Sequence, residues 1–151
     1  MLRPSKKMLF AIEAVLDIAY HAGGETVQSR EITQCQGIPR RYLEQTLQQL
    51  VRAGLLVGVR GPHGGYRLAR ERRRISIGEI VRVVQALETA EEPFAEAPAS
   101  ELGKTVIRPM WTELSAEIMA RLDAVTIDDL CMRAYKEGLS SRSQSALDFI
   151  I

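Results

Sequence analysis

The sequence predicts a mainly α-helical fold that carries one short β-hairpin. Several segments place apolar residues three to four positions apart, which is the spacing of a half-buried helix. Near the middle of the chain, two short apolar runs flank the glycine-rich segment 61–65, the pattern of a hairpin. The 151 residues, 46% apolar and 26% charged, suit one globular domain with an appended element.

The hairpin follows a helix predicted to run from Pro39 to Gly54. Proline suits a first helical turn because its missing N–H would be unsatisfied there, and glycine suits a helix end. Strands are predicted over residues 55–59 and 66–69. The buried face of the helix is the apolar stripe Leu43, Leu47, Leu50 and Val51. Its other face carries side chains able to hydrogen-bond to base edges or phosphates: Arg40, Arg41, Glu44, Gln45, Gln48 and Arg52.

Three further helices complete a predicted domain of residues 1–87. The first covers residues 5–22 with Ser5 as its N-cap, and the second is a short helix capped by Ser29. The third is capped by Ser76 and extends to Leu87. The buried stripe of the first helix is predicted to be Leu9, Ile12, Val15, Leu16 and Ala19. Two helices joined by a tight turn at 36–38 and followed by a hairpin make a winged helix-turn-helix.

The net charge of +1 conceals two halves of opposite sign. Residues 1–75 hold 13 Lys/Arg against 6 Asp/Glu, whereas residues 76–151 hold 7 against 13. A basic half indicates a surface that binds a polyanion, while the acidic half indicates a separate role. The arginines at 70, 72, 73 and 74 are either phosphate ligands of that surface or a solvated loop.

The second half is predicted to hold an acidic connector, a long helix, a short helix and a tail. Residues 88–103 combine two prolines with five glutamates, which indicates a connector loop. Residues 104–137 hold the long helix and a short one capped by Thr126, and the serine-rich residues 138–151 are expected to be flexible. The stripe of the long helix is Ile107, Trp111, Leu114, Ile118, Leu122 and Val125. It indicates burial against a second copy, with packing on its own domain as the alternative.

The N-terminal segment has the basic start and apolar stretch of a signal peptide, but it is better explained as an amphipathic helix. Glu13 and Asp17 interrupt the apolar stretch at helical spacing. No apolar run in the chain approaches the ~18 residues of a membrane span. We therefore expect a cytoplasmic protein without a membrane partner.

The motifs resemble those of the IscR/NsrR/CymR-type winged-helix regulators of bacteria, the Rrf-two family. The similarity spans almost the whole chain and is strongest at YLEQ (42–45), VRGPHGGY (59–66) and IGEIV (77–81). The resemblance implies a transcriptional regulator that binds a roughly palindromic promoter site on double-stranded DNA. It also implies a cytoplasmic homodimer whose long helix forms the dimer interface. We expect this regulator to be a repressor.

Many members of that family carry an iron–sulfur cluster on three cysteines in the segment that precedes the dimer helix. Here that segment, residues 88–103, contains no cysteine, and the only cysteines are Cys35 and Cys131 in different predicted helices. Iron–sulfur clusters require thiolate ligands, and His21 and His63 complete no metal-binding spacing. We therefore expect no cluster, no other cofactor and no metal site.

The resemblance implies that the helix over residues 39–54 and the hairpin that follows it contact different parts of the DNA. The helix would read the major groove, where Arg and Gln make bidentate contacts with guanine and adenine and Glu accepts from cytosine. The hairpin tip would reach the minor groove or flanking phosphates. The predicted DNA-binding residues are Arg40, Arg41, Glu44, Gln45 and Gln48 of the helix, Arg60 and His63 of the hairpin, and Lys6, Lys7 and Arg67 as phosphate ligands.

Two other function classes are compatible with parts of the sequence. A winged helix also serves as a protein-interaction module without a specific operator, which the basic concentration in residues 40–74 disfavours. An enzyme is disfavoured because no nucleophile–base pair, paired carboxylates or phosphate loop is recognisable. Three signals could regulate the protein: an effector protein that binds the acidic half, a small molecule that binds near Trp111, or oxidation of Cys35. A small buried residue is the commoner role of a lone cysteine.

Overall fold

The computed structural model describes residues 3–21, 26–37, 39–62, 64–91 and 100–141, with the backbone alone at 33–36 and 90–91. The described part is mainly helical and has one two-stranded antiparallel sheet, which confirms the predicted fold class. Its elements are α1 (Lys6–His21), α2 (Ser29–Gln36), α3 (Arg40–Arg52), β1 (Leu56–Val59), β2 (Gly65–Leu68), α4 (Ile77–Glu91), α5 (Arg108–Asp123) and α6 (Ile127–Lys136).

Helix α1 is the centre of the core and contacts α2, α3, α4, α6 and β2. Its buried apolar residues are Met8, Ala11, Ala14, Val15 and Ile18. Of the predicted stripe, Val15 is buried, and Ile12, Leu16 and Ala19 pack against the core but are only partly buried. The prediction was wrong for Leu9, which is 45% exposed. Because neighbours surround α1 on several sides, its buried residues do not form the single narrow stripe that periodicity predicts. Ser5 caps α1 as predicted, since its Oγ accepts from the Met8 N–H at 3.1 Å.

Helix α3 starts and stops close to the predicted positions. Pro39 is the residue before the helix, with an extended ψ of 128°, so its prediction as the first helical residue was off by one. At the other end, Gly54 has φ +78°. The Gly54 N–H donates to the Val51 carbonyl at 3.0 Å, and the Leu55 N–H donates to the Leu50 carbonyl at 3.0 Å. This pair of bonds is the Schellman motif that glycine favours. The side chains of Leu43, Leu47 and Leu50 are buried as predicted.

The hairpin pairs Leu56 with Leu68 and Val59 with Gly65 in antiparallel register. On its outer edge, Val27 and Tyr66 exchange two backbone hydrogen bonds of 2.8 Å and extend the sheet by one residue pair. At the tip, a Cβ on Gly64 would meet the Val59 carbonyl oxygen at 2.3 Å. The glycine turn is therefore required by close packing of the tip against the chain itself.

Helix α2 begins at Ser29, so Ser29 is the first helical residue and not the predicted cap. The residue before it, Gln28, has its N–H bound to the Glu31 carboxylate at 3.2 Å. Ile32 is fully buried, and Gly37, in the turn towards α3, has φ +63°. Gly23 and Gly24, which follow the predicted first helix, lie outside the described residues.

Helices enter the predicted acidic connector, residues 88–103, from both ends, and residues 92–99 lie outside the described part of the chain. Helix α4 continues to Glu91, and helical backbone resumes at residue 101. A π-helical turn, Gly103–Ile107, then leads into α5. Pro109 lacks an N–H, and its ring crowds the carbonyl four residues earlier, which explains why regular α-helix is interrupted there.

Two predicted caps are confirmed in the second half. Ser76 Oγ accepts from the Glu79 N–H at 3.2 Å while the Glu79 carboxylate accepts from the Ser76 N–H at 3.0 Å. Thr126 and Asp129 form the same reciprocal capping box at the start of α6. The predicted flexible tail is partly fixed, because Ser141 is buried and the Tyr20 hydroxyl donates to the Leu139 carbonyl. Residues 142–151 lie outside the described part of the chain.

The apolar stripe of the long helix divides into two parts. Leu122 and Val125, together with Met119, pack on the core of their own domain. Ile107, Trp111, Leu114 and Ile118 are 41–53% exposed. Leu122 and Val125 therefore have partners within the chain, and the assignment of the stripe to a dimer interface stays a prediction.

Candidate nucleic-acid interface

Helix α3 presents a continuous polar face because its leucines occupy only one side of a 3.6-residue helix. Arg40, Arg41, Gln45 and Gln48 are exposed, and Glu44 is half-buried. Arg40 Nε donates to Glu44 Oε1 at 2.9 Å, one helical turn away. All five predicted helix residues therefore reach the same outer side of the domain.

A cleft of about 810 Å³ separates this face of α3 from the hairpin. Four arginines line it: Arg30 from the start of α2, Arg40 and Arg52 from α3, and Arg60 from the hairpin. Gln48 and Tyr66 also line it, and none of its described lining residues is a carboxylate. Glu44 pairs with Arg40 at its edge, but the other three guanidinium groups have no ion pair in the described residues. A concave surface with this excess of positive charge attracts a polyanion and strengthens its binding.

The opposite flank of α3 meets the start of α1. Lys7 Nζ lies 5.9 Å from the centroid of the Tyr42 ring, a cation–π contact between the two helices. Lys6, beside it, is exposed. The two predicted lysines therefore extend the basic surface beyond α3 on the side away from the hairpin.

The remaining predicted DNA-binding residues belong to the hairpin. Arg67 is exposed on β2, opposite Val57 in the register. Arg60 follows β1 directly and is exposed at the tip. His63 lies outside the described residues.

Three of the four arginines at 70–74 are engaged within the chain. Arg70 pairs with Glu79 at 2.8 Å, Arg72 with Asp128 at 2.7 Å and Arg73 with Glu71 at 2.8 Å. Burial alone would raise the pKa of Glu79, but hydrogen bonds from Ser76 and Arg70 hold it below its ordinary value. Arg70 and Arg72 therefore link the end of the hairpin to α4 and α6, while all four arginines stay exposed to solvent. Whether they also contact phosphates stays a prediction.

Arg30 was missed as a candidate, and Arg52 was recognised only as part of a polar face. Arg30 stands in the first turn of α2, where a positive charge opposes the helix dipole. Lys6 and Lys7 stand in the first turn of α1 in the same way, so a basic residue at a helix start is a signal that could have identified Arg30. Arg52 lines the cleft only because the hairpin folds beside it. Helical periodicity does not reveal that arrangement.

Tyr66 connects the hairpin to the charged face of α3. It is half-buried, and burial, followed by the negative charge of Glu44, raises the pKa of its hydroxyl. The phenol therefore remains neutral at physiological pH and can donate a hydrogen bond into the cleft.

The cysteines lie apart in the sequence and belong to different helices. Cys131 is 2% exposed in α6, and burial raises the pKa of its thiol, which keeps it protonated at neutral pH. Cys35 lies in α2, but its side chain is outside the described part of the structure. Among the described residues, no three His, Cys, Asp or Glu side chains come close enough together to hold a metal ion. None of the described helices is both long and apolar enough to cross a membrane.

Comparison with known proteins identifies relatives over nearly the whole chain. IscR from Photobacterium profundum is 31% identical over 97% of this chain and 85% of its own length. IscR from Vibrio cholerae is 34% identical over 87% of this chain and 76% of its own length. Both are described as helix-turn-helix transcriptional regulators.

Solved structures share the fold. The T. potens IscR structure superimposes with a TM-score of 0.72 at 32% identity, covering 92% of this chain and 93% of that one. The structure of CymR, the global cysteine regulator of B. subtilis, gives a TM-score of 0.70 at 28% identity, covering 88% and 98%. These relatives are regulators and not enzymes, which agrees with the prediction that this chain is not an enzyme.

The match to a family is equally broad. Residues 4–133 match the Rrf2 family, described as iron-dependent transcriptional regulators. This range includes the helix-turn-helix, the hairpin, α4 and α5. The chain therefore belongs to the Rrf2 family and is a DNA-binding transcriptional regulator.

Proposed function

We propose that this protein is a sequence-specific repressor that binds a pseudo-palindromic promoter site as a homodimer, without an iron–sulfur cluster. The observation that carries the proposal is the cleft in which Arg30, Arg40, Arg52 and Arg60 converge from three elements. One sugar-phosphate strand would lie in this cleft, between helix and hairpin. The polar face of α3 would then lie in the adjacent major groove.

The two parts of the surface would divide affinity and specificity between them. Arg41, Gln45 and Gln48 have the hydrogen-bonding groups that distinguish guanine and adenine in the major groove. The cations suited to phosphates, which set register and affinity without reading sequence, are Arg30, Arg52, Arg60, Lys6 and Arg67. Binding would release counterions and therefore weaken steeply as salt increases.

The exposed part of α5 supports the homodimer. Trp111, Leu114 and Ile118 lie within one stripe at helical spacing and are 41–46% exposed in the single chain. The π-helical turn before α5 adds Val106 and Ile107, both 53% exposed. Large apolar side chains clustered on one helix face are stabilised by burial against a partner, and a second copy with two-fold symmetry offers an identical face.

A regulator of this composition would work without a cluster, although the family description includes iron dependence. The 151 residues include two cysteines, fewer than the three that the family's cluster uses. One of them, Cys131, is buried among core residues, where its thiol stays protonated. We therefore propose that the signal is an effector protein, a small molecule near Trp111 or oxidation of Cys35.

Repression follows from the size of the bound complex. A dimer that spans two successive major grooves covers a promoter segment and excludes other proteins from it. Occupancy of the site is then sufficient to lower transcription, without any further contact. A reporter fused to the protein's own promoter region should therefore be more active when the gene is deleted, and lower activity after deletion would contradict repression.

A binding titration tests the proposed interface. DNA from the region upstream of the gene is titrated with wild-type protein and with an Arg52→Ala/Arg60→Ala variant over a range of salt concentrations. The variant should bind more weakly and show a salt slope reduced by about two, because two phosphate contacts are lost. Arg133→Ala, which removes an exposed arginine on α6 outside the cleft, should match wild type. Equal losses in both variants would contradict the placement of the interface.

The cluster-free state has its own test. Protein purified without oxygen should be colourless and should still bind the upstream DNA. A brown protein with thiolate-to-iron absorption would contradict the cluster-free proposal and would implicate Cys35 or Cys131 as ligands.

A further inference from the structure

A short joint connects the winged domain to α5. The Ile77 N–H donates to the Val125 carbonyl at 2.8 Å, and the Ile127 N–H donates to the Ile75 carbonyl at 2.9 Å. These bonds flank a one-pair antiparallel bridge between Ser76 and Thr126. The start of α4 and the end of α5 are therefore joined backbone to backbone.

Beside this bridge, α4 and α5 touch more closely than ordinary side chains permit. A Cβ on Gly78 would meet Asp123 Oδ1 at 1.9 Å, Asp123 Cγ at 2.8 Å and the Asp123 backbone N at 3.0 Å. Glycine at position 78 is therefore what allows the last turn of α5 to lie directly against α4.

One helical turn along α4, Arg82 binds the same carboxylate. Its two terminal nitrogens donate to Asp123 Oδ1 at 2.6 Å and to Asp123 Oδ2 at 2.7 Å. The hydrogen bond and charge of Arg82 hold the pKa of Asp123 below its ordinary value. A two-point contact fixes orientation as well as distance, which a single-point ion pair does not.

The rest of α5 has few contacts with its own domain. Met119, Leu122 and Val125 pack on the core, whereas residues 104–114 are all exposed. The direction in which α5 leaves the domain is therefore determined near Asp123. At 1.5 Å per residue, the 16 positions from Asp123 back to Ile107 span about 24 Å. A rotation of about 10° at the joint would displace the far end of α5 by about 4 Å, which exceeds the rise of about 3.4 Å per base pair.

We propose that the contact of Gly78 and Arg82 with Asp123 determines the spacing between the two half-sites that the dimer recognises. This inference rests on the proposed function, because it requires two copies paired through α5. In such a dimer the angle between α5 and the winged domain sets the separation of the two recognition helices. Spacing between half-sites follows that separation geometrically.

The test is a selection from a pool of duplexes whose random central region covers about three helical turns, about 30 base pairs. Wild-type protein is compared with Gly78→Ala, which forces the helices apart sterically, and with Asp123→Ala, which removes the carboxylate. Glu113→Gln is the control, since it removes one exposed negative charge from the same helix away from the joint. Thermal unfolding of each variant shows whether it is folded. If a variant does not fold, Arg82→Lys takes its place, because it keeps the positive charge but loses the two-point contact.

We expect every selection to return the same half-site sequence. The spacing between the two half-sites should differ between wild type and the joint variants. Wild type and Glu113→Gln should return one spacing, while the joint variants should return a spacing changed by at least about one base pair, or a mixture of spacings. The same single spacing from the joint variants would overturn this inference and leave the proposed function intact. If the wild-type selection returned no inverted repeat, the dimeric operator itself would be wrong, and the inference would fail with it.

Discussion

Arg40 and Glu44 pair across one turn of α3, with Arg40 Nε 2.9 Å from Glu44 Oε1. The pair lies on the side of the helix that faces the hairpin, where Arg40 also lines the arginine-rich cleft. Arg41, the next residue, has no hydrogen bond or ion pair with the described residues. The two adjacent arginines therefore differ: one is held in place by a carboxylate and the other has its donors available to a ligand.

This difference makes Arg41 the first residue to test for base recognition. Arg41→Ala should weaken binding to the preferred site by about 1–3 kcal/mol and relax the preference at one base pair, because a bidentate contact to a base is lost. Affinity is measured by fluorescence anisotropy on the preferred duplex and on its single-base variants. A variant that weakens all sequences equally would identify Arg41 as a phosphate ligand.

The hairpin tip provides a matched pair of glycine substitutions. Gly64→Ala should weaken DNA binding by about tenfold, ~1.4 kcal/mol, because a Cβ would lie 2.3 Å from the Val59 carbonyl and distort the tip beside Arg60. Gly58→Ala in β1, which also lines the cleft, should leave the hairpin undistorted, since its Cβ meets no atom closer than 4.0 Å. It therefore reports the effect of an added methyl group alone and should weaken binding less than Gly64→Ala. Both are measured on the same duplex, and wild-type affinity for Gly64→Ala would show that the tip does not contact DNA.

The exposed stripe of α5 predicts a specific way to separate the protomers. Leu114→Glu should convert the dimer to a monomer, because burying an unpaired carboxylate in an apolar interface is strongly unfavourable. Thr112→Glu introduces the same charge two residues away, off the stripe, and should remain dimeric. Sedimentation velocity distinguishes the two states, and a monomeric wild type would refute the proposed homodimer.

The ion pair at the joint predicts how stability depends on pH. Arg82 lowers the pKa of Asp123 in the folded state, so the folded state binds this proton less readily than the unfolded chain. The stabilisation is therefore present above the ordinary aspartate pKa of about 3.9 and is lost as pH falls through the lower folded-state value. When the pH is lowered from about 6 to roughly 3, the melting temperature of Asp123→Asn should fall less than that of wild type. Identical pH profiles for variant and wild type would show that the pair contributes nothing to stability.

Local signals in the sequence were sufficient for most of the elements. The capping residues Ser5, Ser76 and Thr126 act within four residues of their partners, so their roles can be inferred from short stretches. Gly54 likewise ends α3 through a bond to Val51, beside the bond from Leu55 to Leu50. The winged helix-turn-helix was predictable because it is built from such signals in a characteristic order.

Contacts between distant segments account for what the sequence did not predict. Arg82 and Asp123 are 41 positions apart, and nothing in their local sequences links them. The ion pairs of the arginines at 70–74 were missed because carboxylate partners such as Asp128 come from other elements. The stripe of α1 was misplaced for a similar reason, since helical periodicity identifies an apolar side but not how many neighbours surround it.

The sequence was sufficient to find the polar face of α3 but not the cleft beside it. The face of a single helix follows from periodicity, so the structure places the predicted Arg40, Arg41, Glu44, Gln45 and Gln48 on its outer side. The cleft depends on α2 and the hairpin folding against α3. Arg30 enters it only through that arrangement.

The central claim is that the chain recognises a defined DNA sequence. The most direct measurement is a competition experiment in which labelled DNA from upstream of the gene is bound by wild-type protein and challenged with unlabelled DNA. We expect the same sequence to displace the label at least about a thousandfold more effectively than a shuffled sequence of equal length and composition. Equal displacement by the two competitors would contradict sequence-specific regulation and favour a protein-interaction module that binds DNA through charge alone.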